Sequence, residues 1–187
     1  MKKISLIFLL GISSALTFSS FKTTTIADKT QNRRIEEVEY DTINFESTIV
    51  SGVKLGGPYG ALLEKLGSPD SVRKEETPDS QNSDHFEIYL YGKDSFYVMD
   101  EQVSGFELKS TKFQLDNIGG LKVGDPISKV KKLFPKSYKY RDADEFNPSW
   151  ITISVQFGSS DSFLEIYCEN SKVKSITTVT DDEEEEE

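Results

Sequence analysis

The stretch GVKLGGPY at residues 52–59 has a second copy, GLKVGDPI, at residues 120–127. Both copies have the form Gly-x-x-x-Gly-x-Pro, in which the glycines permit a tight turn and the proline suits the first turn of a helix. A helical pattern and then a run of strand-like segments follow each copy. This repetition indicates that the chain builds one supersecondary unit twice.

Apolar residues spaced three and four apart follow each copy, which predicts a short helix with one apolar face. The first helix is expected to end at Gly67-Ser68-Pro69 and the second at Pro135. The apolar positions are Tyr59, Leu62, Leu63 and Leu66 in the first copy, and Ile127, Val130, Leu133 and Phe134 in the second.

Three strand-like segments follow each helix. They cover residues 85–91, 96–99 and 103–108 in the first copy, and 151–157, 164–167 and 173–179 in the second. Their alternation predicts antiparallel strands with one face under the helices and the other in water. The expected core positions are Phe86, Ile88 and Leu90 in the first copy, and Ile153, Val155 and Phe157 in the second.

The predicted fold class is therefore α+β. We expect two tandem repeats, each a helix plus a three- or four-stranded antiparallel sheet, that share one body because a single unit buries little apolar surface. The long polar stretches 73–84 and 136–149, one after each helix, are expected to be loops. They are either a recognition rim or tolerated insertions.

Five parts are expected along the chain: a signal peptide at 1–27, a polar spacer at 28–47, the first repeat at 48–113, the second repeat at 114–180 and an acidic disordered tail at 181–187. The signal peptide is indicated by a positive start at residues 1–3, an apolar stretch to Phe18 and small residues beyond it. That stretch is shorter than the ~20 residues that span a bilayer, so no stable membrane insertion is expected. The predicted location is outside the cytoplasm, periplasmic or extracellular.

The formal net charge of −10 disfavours nucleic acid and anionic lipid as partners. The acidic tail could also attract Ca²⁺, although carboxylates without a turn-forming loop make a poor selective site.

The chain offers little material for catalysis. With one histidine, His85, and one cysteine, Cys168, a zinc site lacks ligands, and no Gly-Lys-Ser/Thr phosphate loop follows the glycines. Cys168 alternates in step with Leu164 and Ile166 and is expected to be a buried hydrophobe. We expect no catalytic residues, no cofactor and no metal. A hydrolase that uses loop carboxylates is the less favoured alternative; the candidates are Glu75, Glu76, Asp142, Asp144 and Glu145.

Several of these residues resemble those of a known family. The Gly-hydrophobic-Lys-hydrophobic-Gly motif, the helix ending in Leu66-Gly67-Ser68-Pro69 and the meander with Tyr91-Gly92 resemble the β-lactamase-inhibitor-like fold, over most of residues 50–180. The small outer-membrane-assembly lipoproteins have a similar single unit. The resemblance implies a binding module that presents a concave sheet face to a partner. The chain lacks the disulfides of the secreted inhibitors and the lipid-attachment cysteine of the lipoproteins, and no β-lactamase-contacting loop is identified.

The sheet face opposite the core is the candidate partner-binding face. By alternation it is expected to carry Tyr89, Tyr91, Tyr97, Met99, Trp150 and Tyr167. Exposed Tyr, Trp and Met anchor protein interfaces because they bury a large area at a small entropy cost. Ordinary sheet packing is the alternative for these residues. We therefore expect an exported, non-catalytic protein-binding or inhibitor-like module of unknown partner and unknown oligomeric state. The alternative is an envelope structural or assembly protein.

Overall fold

The structure, a computed structural model, describes residues 38–75 and 86–180. The predictions for the signal peptide, for residues 28–37 of the spacer, for Glu76 and His85 and for the acidic tail fall outside these residues.

The first half of the described chain contains one helix and seven strands. Its elements are β1 (Thr42–Ile43), β2 (Ile49–Val50), β3 (Val53–Lys54), α1 (Gly60–Leu66), β4 (Ser71–Glu75), β5 (Phe86–Tyr91), β6 (Asp94–Met99) and β7 (Gln102–Leu108). The second half contains two helices and four strands. These are α2 (Ile127–Leu133), α3 (Pro135–Lys139), β8 (Asp142–Ala143), β9 (Trp150–Phe157), β10 (Ser162–Glu169) and β11 (Lys172–Thr180).

Within the described residues, nine strands form one sheet in the order β1-β9-β10-β11-β7-β6-β5-β4, with β8 also paired to β9. The β1–β9 pairing is parallel and the other pairings are antiparallel. The two meanders meet at β7 and β11, where Leu108 pairs with Ile176 and Glu107 with Thr177. The α+β class is confirmed, because strands dominate and the short helices add one further layer.

The core lies between the helices and one face of the sheet. Leu62 of α1 and Val130 of α2 are fully buried in the same cluster as Phe96 and Ile153. Cys168 also belongs to this cluster, with no exposed surface, so its expected place in the core is confirmed. Within the described residues no helix is long and apolar enough to cross a membrane.

The helix predictions need two corrections. Leu63 is 46% exposed, because the seven-residue α1 buries only Leu62 fully and leaves its neighbour in solvent. Pro135 ends α2 but does not end the helical segment, since it is the first residue of α3. Proline is tolerated there because its missing N–H would have no partner in the first turn.

The spacer prediction was wrong for the end of the segment, residues 38–47. In β1, Thr42 and Ile43 pair with Gln156 and Phe157 of β9. Phe45 packs against the core and meets Phe157 edge to face, with ring centroids 5.3 Å apart. This segment is polar overall, so only its few apolar side chains and its backbone hydrogen bonds attach it to the sheet.

The two predicted loops are partly ordered elements. Residues 71–75 form the edge strand β4, which pairs with β5, and the second stretch contains α3 and β8. Both β4 and α3 are rich in lysine and arginine, and the polar composition therefore concealed them.

The second glycines of the two Gly-x-x-x-Gly-x-Pro motifs make equivalent hydrogen bonds. The amide of Gly56 donates to the carbonyl of Val103 at 2.9 Å, and that of Gly124 donates to the carbonyl of Val173 at 2.8 Å. Both glycines have positive φ, 70° and 90°. The β6–β7 turn at Asp100–Glu101 and the β10–β11 turn at Asn170–Ser171 also have positive φ at both central residues. This is the backbone of the hairpin turn whose twist matches that of the strands.

Candidate functional site

The pairing of β5 with β6 shows which of their side chains share a face, and the full burial of Phe96 shows which face lies against the helices. Tyr89 lies opposite Phe96, whereas Ile88 lies opposite Tyr97 and Phe86 opposite Met99. Directly paired residues share a face of the sheet. Tyr89 and Phe96 therefore lie on the core face, and the other two pairs lie on the opposite face, which we call the open face.

The prediction was wrong for Tyr89 and Tyr91, which belong to the core. They are 7% and 2% exposed, and the Tyr91 ring meets Phe96 and Phe113 edge to face. Both alternate sets of side chains in β5 are large and apolar, so alternation could not distinguish the core face. Phe86, Ile88 and Leu90, expected in the core, are only partly buried.

Both buried tyrosines satisfy their hydroxyl groups. The Tyr91 hydroxyl donates to the carbonyl of Gly67 at 3.1 Å, and the Tyr89 hydroxyl donates to Oε2 of Glu87 at 2.9 Å. Burial, aided by Glu87, raises the pKa of Tyr89 to about 12. Burial also raises the pKa of Tyr91. These tyrosines therefore belong to the core face and not to the open face.

On β5 and β6, the open face carries an apolar cluster of Phe86, Tyr97 and Met99, which we call the open-face cluster. The rings of Phe86 and Tyr97 stack at 5.9 Å with an interplanar angle of 30°. Met99 is 45% exposed, an unusual position for a flexible apolar side chain. Here the structure agrees with the sequence, because Tyr97 and Met99 lie on the expected face.

A cleft adjoins the open-face cluster where β7 and β11 cease to pair. Beyond Glu107 and Thr177, the Phe106 amide donates to the Thr178 hydroxyl at 3.0 Å instead of to a strand partner. The cleft contains a cavity of about 660 Å³ and a smaller one of about 280 Å³. Both cavities are lined by Phe45, Met99, Ser104, Phe157 and Ser162. The larger volume lies in the range of small-molecule and peptide-side-chain pockets.

The cleft was not found by sequence reasoning. It depends on Phe45, which the sequence places in a spacer, and on a register shift in β7 near Ser104 that no local pattern announces. Gly105 follows this bulge, and a Cβ there would come within 2.3 Å of the Thr178 hydroxyl oxygen. Glycine is thus required for the approach of the two halves beside the cleft.

Trp150 and Tyr167 also lie on the open face but do not join this cluster. Trp150 is 40% exposed, and Tyr167 pairs with Thr152 on the strand side away from Ile153 and Ile166. The strand pairings place Tyr167 on the third strand from the strand of Tyr97, displaced by four residues along the strand direction. The distance between the two residues is therefore about 20 Å. The structure therefore divides the predicted face into two separate regions.

The candidate catalytic residues acquire no organised environment within the described residues. Asp142, Asp144 and Glu145 are exposed, and no group of three potential ligands could hold a metal ion there. The Asp144 carboxylate accepts hydrogen bonds from the amides of Phe146 and Asn147, which makes it a turn residue. Burial raises the pKa of the Cys168 thiol to about 11, opposite to the shift that activates a nucleophile.

Comparisons with known proteins add one structural neighbour. No protein-family model matches the chain, and no curated protein matches it. A solved structure described as a "putative beta-lactamase inhibitor protein" from Streptococcus mutans is similar over 65% of this chain and 82% of its own length. The sequences are 14% identical and the TM-score is 0.26. A TM-score this low transfers neither that protein's fold nor its function to this chain.

Proposed function

We propose that this protein is an exported, non-catalytic binding module that contacts a protein partner through the open-face cluster and the adjoining cleft. The observation that carries this proposal is the position of Met99, which is 45% exposed beside the stacked rings of Phe86 and Tyr97. Exposed apolar groups that adjoin a cavity are typical of interface hot spots.

The partner contact can be tested with two matched lysine substitutions. Met99 on the open face and Leu63 on α1 are 45% and 46% exposed, so both changes put a charge on a similarly exposed apolar position. The purified chain is immobilised and used to capture proteins from envelope and secreted fractions. We expect Met99→Lys to weaken capture at least about thirtyfold, the effect of losing a hot spot of about 2 kcal/mol, and Leu63→Lys to leave it unchanged. Equal capture by the two variants would refute the proposed surface.

Export is proposed from residues 1–27, whose charged start and apolar stretch have the layout of a cleavable signal. Cell fractionation and the N-terminal sequence of the secreted form test this directly. A chain retained in the cytoplasm with Met1 at its start would contradict it.

We also propose that the two halves are tandem copies of one unit. The proposal is supported by the equivalent hydrogen bonds of Gly56 and Gly124 and by the two hairpin turns of the same backbone type. Giving the first turn the residue types of the second tests this proposal. The variant Asp100→Asn with Glu101→Ser is expected to keep the unfolding midpoint of the wild-type chain. A large loss of stability would show that the two turns are not equivalent.

A further inference from the structure

The cavities of the open face join into one groove. The cleft beside the open-face cluster contains the cavities of about 660 Å³ and 280 Å³, and a third cavity of about 410 Å³ lies on the same face over β9, β10 and β11. The third cavity shares Val179 and Thr180 with the smaller cavity of the cleft. We call these three cavities together the open-face groove.

The charged residues that line this groove all have the same sign. Glu46 and Asp100 line the largest cavity, and Asp142 and Glu165 line the third. Among residues 38–75 and 86–180, no lysine or arginine lines any of the three cavities. In the same part of the chain, Glu46, Asp100 and Asp142 have no salt-bridge partner. Each end of the groove therefore carries uncompensated negative charge.

The middle of the groove is apolar. The smaller cavity of the cleft has no charged residue among the described residues that line it. Its walls include the whole open-face cluster together with Phe45 and Phe157. A large apolar side chain that entered this part of the groove would bury its surface against aromatic rings.

The negative charge of the groove is local and is not simply a share of the formal net charge of −10. Between Pro126 and Arg141, on the helix side of the sheet, the chain has six lysine or arginine residues and no aspartate or glutamate. Lys131 and Lys132 of α2 are exposed there. The helix side over the second half is therefore basic, whereas the open face is acidic along the groove.

Both ends of the groove lie within reach of one extended peptide segment. Ser162 of β10 lines the largest cavity, and Glu165, three residues further along the same strand, lines the third. Three residues of a strand cover about 10 Å. Five extended residues cover up to about 17 Å, so one short segment can lie over the middle of the groove and over both acidic ends.

We propose that the open-face groove binds an extended segment of the protein partner in which lysine or arginine residues flank a large apolar residue. This inference rests on the proposed function, because it assigns the chemistry of the partner at the same surface. The apolar residue enters the middle of the groove, and the basic residues lie near the carboxylates at its ends. Exposed ion pairs are individually weak, but opposite charges steer association and exclude acidic partners.

Three synthetic peptides with blocked ends test the proposal: KKFKK, KKAKK and EEFEE. Each is titrated into the purified chain at low salt and followed by amide NMR shifts. We expect KKFKK to shift the amides of residues 44–46, 99–104 and 157–165. We expect it to bind about tenfold tighter than KKAKK, because alanine cannot fill the apolar middle, and EEFEE to leave these amides unchanged. No shift in the groove with KKFKK, or equal affinity of KKFKK and either other peptide, would overturn the proposal.

Matched variants separate the groove from the net charge of the chain. Asp100→Asn and Glu46→Gln each remove one carboxylate of the groove, and Glu64→Gln removes one exposed carboxylate of α1 on the helix side. Asparagine suits the positive φ of position 100, so the hairpin turn is kept. We expect each groove variant to weaken KKFKK binding about two- to fivefold, the effect of one exposed ion pair, and Glu64→Gln to leave it unchanged. Equal affinity of all three variants would overturn the proposal.

Failure of this inference can be distinguished from failure of the proposed function. In the capture experiment, loss of capture with Met99→Lys but not with Asp100→Asn or Glu46→Gln would keep the open face as the binding surface and overturn the basic segment. Equal capture by Met99→Lys and Leu63→Lys would refute the surface itself.

A second copy of this chain, with its basic α2 and α3, is the alternative occupant of the groove. Without peptide, we expect the amide shifts of residues 44–46, 99–104 and 157–165 to be independent of protein concentration. Shifts of these amides that grow with protein concentration would identify the second copy as the occupant and overturn the proposal.

Discussion

At the scale of single residues, β5 shows how closely two arrangements can compete. Phe86, Ile88 and Leu90 form one face of the strand and Tyr89 and Tyr91 the other, and both faces carry large apolar groups. The hydroxyl of Tyr91 finds a partner on the helix side, the carbonyl of Gly67, and the hydroxyl of Tyr89 bonds to Glu87 of the same strand. A buried tyrosine costs little once its hydroxyl is hydrogen bonded.

The first prediction compares two tyrosines of the same meander. We expect Tyr91→Ala to lower the free energy of unfolding by about 3–5 kcal/mol, because it leaves a large cavity among Phe96 and Phe113. Tyr97→Ala, on the open face, is expected to cost less than about 1 kcal/mol. Urea unfolding followed by circular dichroism measures both. Equal losses would mean that Tyr97 is as important to the core as Tyr91.

The second prediction concerns alkaline pH. The folded-state pKa of Tyr89 is about 12, above its ordinary value of 10.0, so the folded chain holds this proton where the unfolded chain releases it. Its contribution to stability is complete below about pH 10 and is lost as the pH rises towards 12. Cys168, with a pKa of about 11, adds a loss that begins near its ordinary value of 9.0.

Urea unfolding at several values between pH 9 and pH 11.5 tests this dependence. We expect the free energy of unfolding to fall with pH, and to fall less steeply in Tyr89→Phe, which cannot ionise. A variant with the same slope as the wild-type chain would exclude Tyr89 as a source of the pH dependence.

At the scale of elements, β1 and α3 stabilise each other across a long sequence separation. The Asp41 carboxylate accepts from the Ser137 amide at 2.9 Å, and the Ser137 hydroxyl accepts from the Asp41 amide at 3.0 Å. The first N–H groups of a helix have no partner within it, so a carboxylate from a distant segment can cap it. The pair attaches the β1 segment to α3 while β1 pairs with the edge of β9.

The third prediction follows from this cap. We expect Asp41→Ala to lower the free energy of unfolding by about 0.5–2 kcal/mol, the range for loss of a helix cap. Glu46→Ala is the control, because Glu46 is an exposed carboxylate of the same segment. Urea unfolding of both variants measures the difference. Equal stability of the two variants would contradict the role given to Asp41.

At the scale of the whole molecule, the short β7–β11 pairing makes one sheet out of two meanders. Its close approach depends on Gly105, where a Cβ would lie 2.3 Å from the Thr178 hydroxyl oxygen and 3.1 Å from the Tyr97 ring. That hydroxyl cannot move freely, since it accepts from the Phe106 amide. Without this pairing, the β4–β7 meander and the β9–β11 meander would each have an unpaired edge, at β7 and at β11.

The fourth prediction is that Gly105→Ala lowers the free energy of unfolding by about 1–3 kcal/mol, the usual cost of overpacking. The matched control is Gly60→Ala, because a Cβ at Gly60 meets nothing within 4 Å and alanine favours the helix. Gly60→Ala is expected to be neutral or stabilising. Adding Thr178→Ala to Gly105→Ala should restore part of the loss; no restoration would mean that the clash lies elsewhere.

Sequence alone determined the parts of this protein that local rules control. The Gly-x-x-x-Gly-x-Pro motifs predicted the turns and helix starts, and alternation located the six meander strands to within two residues. It also placed Ile153, Val155 and Cys168 in the core, because in β9 and β10 one alternate set is apolar and the other mostly polar.

Only the tertiary structure decided the face of β5, the edge pairing of β1 and the cleft between β7 and β11. Each of these depends on contacts between residues far apart in the chain. For Tyr91, the distant carbonyl of Gly67 and the ring of Phe113 settled a choice that alternation left balanced. For Phe45 and Gly105, the reason for the residue is a neighbour in the other half of the molecule, Phe157 and Thr178. Such contacts leave no periodic trace in the local sequence.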